Sequence, residues 1–247
     1  MDPARIAELL EPFLGPSPEV ATDGTEIFGH SAAASSVPEY ARLSPAQLDR
    51  ISMYIDLLLR WNSRINLTSI RQSEEIVTRH FGESLFAARR LFPAPIRVNG
   101  SGEPGSDKMR VIDVGSGAGF PGLPIKMWAP RIHLTLIESN HKKVTFLREV
   151  IRNLILMDVD VVAGRADAFP IVQGKADVVT LRAVERFDSI LPISARLVAP
   201  HGRLAILIGE IQIARVGRLL PGFRWDDPAR LPLSSRRVLI IGRQESR

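Results

Sequence analysis

Apolar residues first recur at helical spacing in Ile6, Leu9, Leu10 and Phe13, which predicts a short amphipathic helix at the start of the chain. The period is then lost. Residues 15–38 fill with Pro, Gly, Ser and Ala and read as a flexible linker. Order resumes at Ser44-Pro45-Ala46-Gln47, where serine can cap a helix, proline suits its first position and glutamine completes a capping box. Ile51, Tyr54, Ile55, Leu58 and Ile65 carry one apolar face onward, and a further helix is predicted from about Glu74 to Leu91. "PAPIRVNGSGEPGSDK" then reads as a connector.

From Met109 the rhythm changes. Short apolar runs, "MRVIDVG", "IHLTLIE", "MDVDVVAG", "ADVVTLR", "GRLAILIG" and "RRVLIIG", alternate with helical patterns such as Val144, Leu147, Ile151 and Leu154. That alternation predicts an α/β fold with a Rossmann-like, doubly wound sheet that binds ligands at the carboxyl ends of its strands. The last two runs lack a long intervening helix, which predicts an antiparallel hairpin with the C-terminal strand at one edge. The implied division is an acidic helix and linker over 1–40, a helical cap over 41–93, a connector over 94–108 and a sheet domain over 109–247.

The first strand runs into "VGSGAGFPGLP", with Gly115, Gly117 and Gly119 at alternate positions. Glycine is needed where backbone turns sharply or lies against a ligand. A phosphate-binding loop would end in Gly-Lys-Ser/Thr, which is absent, and a dinucleotide fingerprint wants its third glycine where Phe120 stands. S-adenosylmethionine suits the loop better, because its amino-acid half can be held by backbone groups. The second strand ends on Glu138, an acid placed to accept ribose hydroxyls. The third ends in "GRADAF", where Asp167 can receive the adenine amino group beside the Ala166–Asp167 backbone. The plain alternative is that Glu138 and Asp167 only cap helices.

Charge adds a partner. The chain of 247 residues carries +5, but residues 1–40 hold seven acids against Arg5 alone, so the remainder carries +11. Such a body attracts a polyanion such as RNA, although simple solubility explains the same count. With no cysteine there is no disulfide, thiolate metal site or thiol nucleophile, which fits a reducing, cytoplasmic setting. No apolar run reaches the ~20 residues that span a bilayer, and the first residues do not read as a signal peptide.

"DVGSGAGFPGLPIKMWAP", "LIESNHKKVTFLREV", "LRAV", "WNSRINLTSI" and "TRHFGESL" together resemble the GidB/RsmG family, from about Leu43 to the last strand. These are bacterial methyltransferases that act on N7 of a guanine in 16S ribosomal RNA. The resemblance implies a class I S-adenosylmethionine-dependent methyltransferase fold with an N-terminal helical cap, and cofactor contacts at Gly115, Phe120, Ala166, Asp167 and Arg182. It implies 16S rRNA or the 30S subunit as partner, with no membrane and no metal, and a monomer is expected. The chain departs from the family pattern at Leu207-Ile208-Gly209, where a lysine often precedes the glycine, and at Gly82 and Glu83, where a leucine-like residue and aspartate are usual.

The chemistry agrees with what is missing. Guanine N7 carries an exposed lone pair and needs alignment rather than a base. Pyrimidine C5 methylation ordinarily uses a cysteine thiolate, and the Asn/Asp-Pro-Pro-aromatic run suited to exocyclic amines is replaced by "TLRAVE". Arg182 is the catalytic candidate, holding the cofactor carboxylate or the guanine O6 edge through its planar fork, or else pairing only with Glu185. His80 either meets RNA or is a buried imidazole. Arg79, Arg89 and Arg90 with Phe81 and Phe86 form either an RNA face or a helix with buried aromatics. Trp61 reads as core, and Lys142 and Lys143 as a solvated turn. Other readings of the same fold are a methyltransferase for a small molecule or protein, a non-catalytic cofactor-binding ribosome factor, and a dehydrogenase.

Overall fold

The computed structural model describes residues 1–15, 43–93, 108–169, 175–184 and 186–244. The linker expected over 15–38 and the connector over 94–108 fall almost wholly outside them. The predicted first helix is α1 (Pro3–Leu14), with Ile6, Leu10 and Phe13 buried. Helix α2 (Pro45–Asn62) starts as its sequence requires: Gln47 N–H donates to Ser44 Oγ at 3.3 Å, and Ser44 N–H donates to Gln47 Oε1 at 2.8 Å. The glutamine amide also donates to the Met127 carbonyl at 2.7 Å, tying α2 to the sheet domain.

The helix expected from Glu74 to Leu91 is helical throughout but not uniform. It opens as α3 (Ser73–Ile76), widens into a π-helical turn over Val77–Gly82, and closes as α4 (Glu83–Leu91). Gly82 ends that turn, against α1. A Cβ there would sit 2.6–2.8 Å from the ring of the fully buried Phe13, so α1 can lie against the turn only because that position lacks a side chain. The departure from the family's leucine-like residue is thus matched by Phe13. Gly82→Ala should cost about 1–3 kcal/mol of unfolding free energy by overpacking. Phe13→Leu should cost less in that background than alone, and urea titration of the four chains checks it.

The remaining elements are β1 (Arg110–Val114), α5 (Gly122–Trp128), β2 (His133–Glu138), α6 (His141–Asn153), β3 (Val159–Ala163), β4 (Ala176–Arg182), α7 (Phe187–Arg196), β5 (Val198–Gly209), α8 (Ile213–Leu219), β6 (Phe223–Trp225), β7 (Ala229–Arg230) and β8 (Arg237–Gln244). All six predicted strands are present. With the two short strands β6 and β7 they form a sheet of order β3-β2-β1-β4-β5-β8-β6, with β7 also on β8. The first five strands pair in parallel and β8 runs antiparallel to β5. One expectation fails here: β8 is neither a hairpin partner of β5 nor an edge strand. Helix α8 and two short strands intervene, and β6 and β7 both pair with its outer side. Gly242 makes this possible, because a Cβ would meet the Trp225 ring at 2.6 Å.

Side chains alternate across the sheet into two cores. Val111, Leu134, Leu136 and Val178 pack with α5, α6 and the N-terminal helices, while Ile112, Val114, Val179 and Leu181 pack under α7 and α8. Chain order reverses between β1 and β4, which opens a crevice at their carboxyl ends. Among the described residues no helix is long and apolar enough to cross a membrane.

Candidate active site

Three glycines bend the chain beyond β1. Gly115, Gly117 and Gly119 have φ of +68°, +57° and +89°, a region that side chains with a Cβ rarely adopt. The Gly115 and Ser116 N–H groups donate to the Ile137 carbonyl, and Gly117 N–H donates to Glu138 Oε2 at 2.8 Å. Glu138 Oε1 accepts from Asn140 N–H at 2.7 Å. Glu138 is therefore not the cap of α6. Asn140 is, accepting from the N–H groups of Lys142 and Lys143. Beneath the loop, Asp113 is fully buried and accepts from Thr180 Oγ1 at 2.7 Å and from Gly122 N–H at 3.3 Å. Burial outweighs these bonds and pushes its carboxyl up to about 6.

The wall facing the N-terminal helices is aromatic. Phe120 lies between Tyr54, stacked at 5.3 Å, and His80, stacked at 4.7 Å, with the edge of Phe81 at 5.1 Å. Tyr54 donates its hydroxyl to the Ala118 carbonyl and so pins the glycine loop to α2. The "WNSRINLTSI" stretch acquires a physical reading. Asn62 Oδ1 accepts from Leu67 and Thr68 N–H at 2.9 and 3.0 Å, and its amide donates to the Thr68 carbonyl at 2.9 Å. That staple brings Thr68 Oγ1 to 2.8 Å from His80 Nε2.

His80 is half-buried, stacked on Phe120 and also lining the cleft. Burial, and then the positive charges of Arg182, Arg79 and Arg237, lower its pKa to about 3, so it is neutral near pH 7. Its folded pKa lies below the unfolded value, so the associated stability is complete above pH 6.5 and is lost as pH falls toward 3. Asp113 has the opposite sign: its raised pKa adds stability below about pH 4 that disappears as pH rises through about 6. A His80→Gln chain lacks the first dependence. Between pH 7 and 5 its stability relative to wild type should rise by about 2 kcal/mol, from 1.5 units at ~1.36 kcal/mol each. Urea midpoints at the two pH values measure it.

At the end of β4, Arg182 is nearly buried. Its Nη2 donates to the Arg79 carbonyl and, at 3.1 Å, to Glu83 Oε2. Arg237 Nη2 approaches Glu83 Oε1 at 2.6 Å and Arg79 Nε lies 3.6 Å from it. The alternative pairing with Glu185 lies outside the described residues. The Arg182 Nη1 and Nε groups make no hydrogen bond among the described residues. Sequence spacing did not find Glu83 or Arg237 as a partner of this arginine. The only signal was Glu83 standing where aspartate is usual.

Gly115, Gly117, Phe120, Glu138, Ala166, Asp167 and Arg182 all line one cleft of about 870 Å³. Asp167 is on its rim, held by Arg165 through Nη2 at 2.8 Å, and that hydrogen bond lowers its pKa. Lys143 and His80 also line the cleft. Of the basic-aromatic helix, Phe81 is fully buried, so it offers no ring for base stacking. Phe86 is half-buried with the Arg90 guanidinium 4.2 Å above it, and Arg89 donates to the Phe13 carbonyl. Trp61 packs half-buried against Phe146. Among the described residues no cluster of three His, Asp or Glu could hold a metal ion.

The cleft suits S-adenosylmethionine in donor set and backbone. Acids stand at the ends of β2 and just past β3, an arginine fork at β4, and Gly115 and Gly117 present Cβ-free backbone to the cleft. A volume of about 870 Å³ lies within the ~300–1,000 Å³ usual for such ligands. The family model described as "GidB: rRNA small subunit methyltransferase G" matches residues 47–216. The chain is 38% identical over 213 residues to "Ribosomal RNA small subunit methyltransferase G" of Roseiflexus castenholzii, covering 81% of this chain and 84% of that one. A protein of the same name from Roseiflexus sp. (strain RS-1) is 36% identical over 210 residues, covering 81% and 84%. Among solved structures, the ribosomal protein L11 methylase of Lactobacillus delbrueckii subsp. bulgaricus shares the fold, with a TM-score of 0.54 at 14% identity over 68% of this chain and 79% of that one.

Proposed function

Because the chain belongs to the GidB family of ribosomal RNA small subunit methyltransferases G, we propose that it transfers a methyl group from S-adenosylmethionine to N7 of a guanine in 16S rRNA. The observation that carries this is convergence: seven residues singled out by motif, drawn from four segments of the chain, line a single cleft at the sheet's switch point. When bound, S-adenosylmethionine supplies an electrophilic methyl group on a sulfonium.

In this reading the backbone of the Gly115–Gly117 turn holds the amino-acid end of the cofactor. Glu138 keeps lone pairs beyond its two backbone bonds and accepts the ribose hydroxyls. Ala166 and Asp167 flank the adenine, and Phe120, fixed in its aromatic stack, supplies an apolar wall. Arg182 is anchored through Nη2 and turns its remaining donors to the cofactor carboxylate or the guanine O6 edge. No residue has to take a proton from guanine N7, whose lone pair is already available. What the chain contributes is alignment. His80 adds no charge beside a base that becomes cationic once methylated, since its own pKa is about 3.

Labelled cofactor, 16S rRNA and 30S subunits lacking the modification test the reading, with the product base identified by mass spectrometry. N7-methylguanine supports it. Tight cofactor binding without transfer to either RNA overturns it in favour of a small-molecule or protein substrate, or of a binding role.

A further inference from the structure

Three guanidinium groups surround one buried carboxylate where the cleft meets a second hollow of about 190 Å³. Arg79, Arg182, Ala183 and Val184 line both spaces, while Glu83 and Arg237 line the hollow. Glu83, which is 2% exposed, and Glu75, 3.6 Å from Arg79 Nη1, offset two of the three charges and leave one in excess. The guanidiniums are graded outward: the Arg182 side chain is 11% exposed, Arg237 24% and Arg79 43%. Among the described residues, Arg79 Nε is buried and makes no hydrogen bond, and Glu83 Oε1, 3.6 Å from it, accepts none of good geometry despite its close cations. A buried donor left unmet in a native site asks for a partner.

The excess charge says what kind. Methylation at N7 makes the purine cationic, so a net positive surround opposes placing the target base between Arg79 and Arg237, beyond an edge contact with Arg182. It attracts an anion, and planar forks of donors match phosphate oxygens. The far side of the hollow, with Phe187, Ile206 and Leu231, offers an anion nothing. We propose that Arg79 and Arg237, braced by Glu83 beside Arg182, form a seat for one phosphodiester of the RNA strand that carries the target guanine. This rests on the rRNA-methyltransferase reading. The seat gives Glu83 a role as a positioning residue: it spaces three like charges that would otherwise repel one another. It also puts a counter-charge beside the methylated base.

Salt dependence separates a phosphate contact from a base contact, since each phosphate neutralised contributes about 0.7–0.9 to the slope of log affinity against log salt. Binding of 16S rRNA is measured from about 50 to 200 mM KCl for wild type, Arg237→Gln and Arg237→Lys. Cofactor binding and thermal midpoint are recorded for each chain. The glutamine variant should lose about 0.7 of slope, so that its defect shrinks about 2.6-fold across this range, while the lysine variant keeps the slope. A glutamine variant that is equally weak at every salt, with unchanged slope, overturns the phosphate seat in favour of base contact. A variant indistinguishable from wild type leaves Arg237 as a partner of Glu83 only, and overturns it too. Both results leave the function reading standing if wild type still transfers methyl. Wild type that binds cofactor and neither binds nor methylates RNA overturns that reading together with the seat.

Discussion

Arg182→Ala should lower kcat/KM for methyl transfer by about 10²- to 10³-fold, or roughly 2.7–4.1 kcal/mol of transition-state stabilisation. The size follows from position. Arg182 stands at the carboxyl end of β4, where the cleft and the second hollow share a border, and among the described residues only its Nη2 hydrogen-bonds to the protein. Alanine removes the whole fork and leaves Glu83 to Arg237 and Arg79. Glu83 therefore retains close cationic partners, and the fold should survive with a moderate loss of thermal stability. Arg182→Lys keeps a charge without the fork. If orientation matters, lysine should recover stability more than rate. Single-turnover transfer with calorimetric cofactor binding separates the two. A variant with near-normal turnover would remove Arg182 from the catalytic machinery and leave it as a brace for the Arg79 carbonyl.

What could be read from the sequence is local. Ser44 and Gln47 are three residues apart, so their capping box is written in the chain and appears with both hydrogen bonds. Each strand of β1 to β5 contains a short, mainly apolar run, and the residues at or just past the ends of β1, β2, β3 and β4 meet because parallel strands share one end. Glu83, Arg182 and Arg237 could not be joined this way. The first two are 99 positions apart, and their meeting depends on where the N-terminal helices sit on the sheet. The π-helical turn at Val77–Gly82 escapes a search at fixed 3.6-residue period, and β6 and β7 have three and two residues, too few to show alternation. Tyr54 read as one more core position. Its role in holding Ala118 appears only when α2 is placed over the glycine loop.

That placement makes Gly119→Ala the most damaging conservative change in the loop. At φ +89° the alanine backbone alone costs about 1–2 kcal/mol. Its Cβ would also lie 2.3 Å from Tyr54 Oη and 2.6 Å from Leu123 Cδ1, both held in a packed interior. Overpacking adds about 1–3 kcal/mol. The sum, about 2–5 kcal/mol, should lower the thermal midpoint by roughly 10 °C in a chain of this size. Gly117→Ala has a left-handed φ of +57° but no neighbour closer than 3.8 Å, so it should carry the backbone cost alone. The pair separates strain from collision. Tyr54→Phe removes the colliding oxygen together with the hydrogen bond to Ala118, so it destabilises wild type. In the Gly119→Ala chain the same change should be neutral or stabilising. A double-mutant cycle that instead adds, with no coupling, would mean the loop moves away from α2 to admit the methyl group. Cofactor affinity would then fall without the loss of stability predicted here, because the loop's contact with α2 is what couples the binding turn to the helical core.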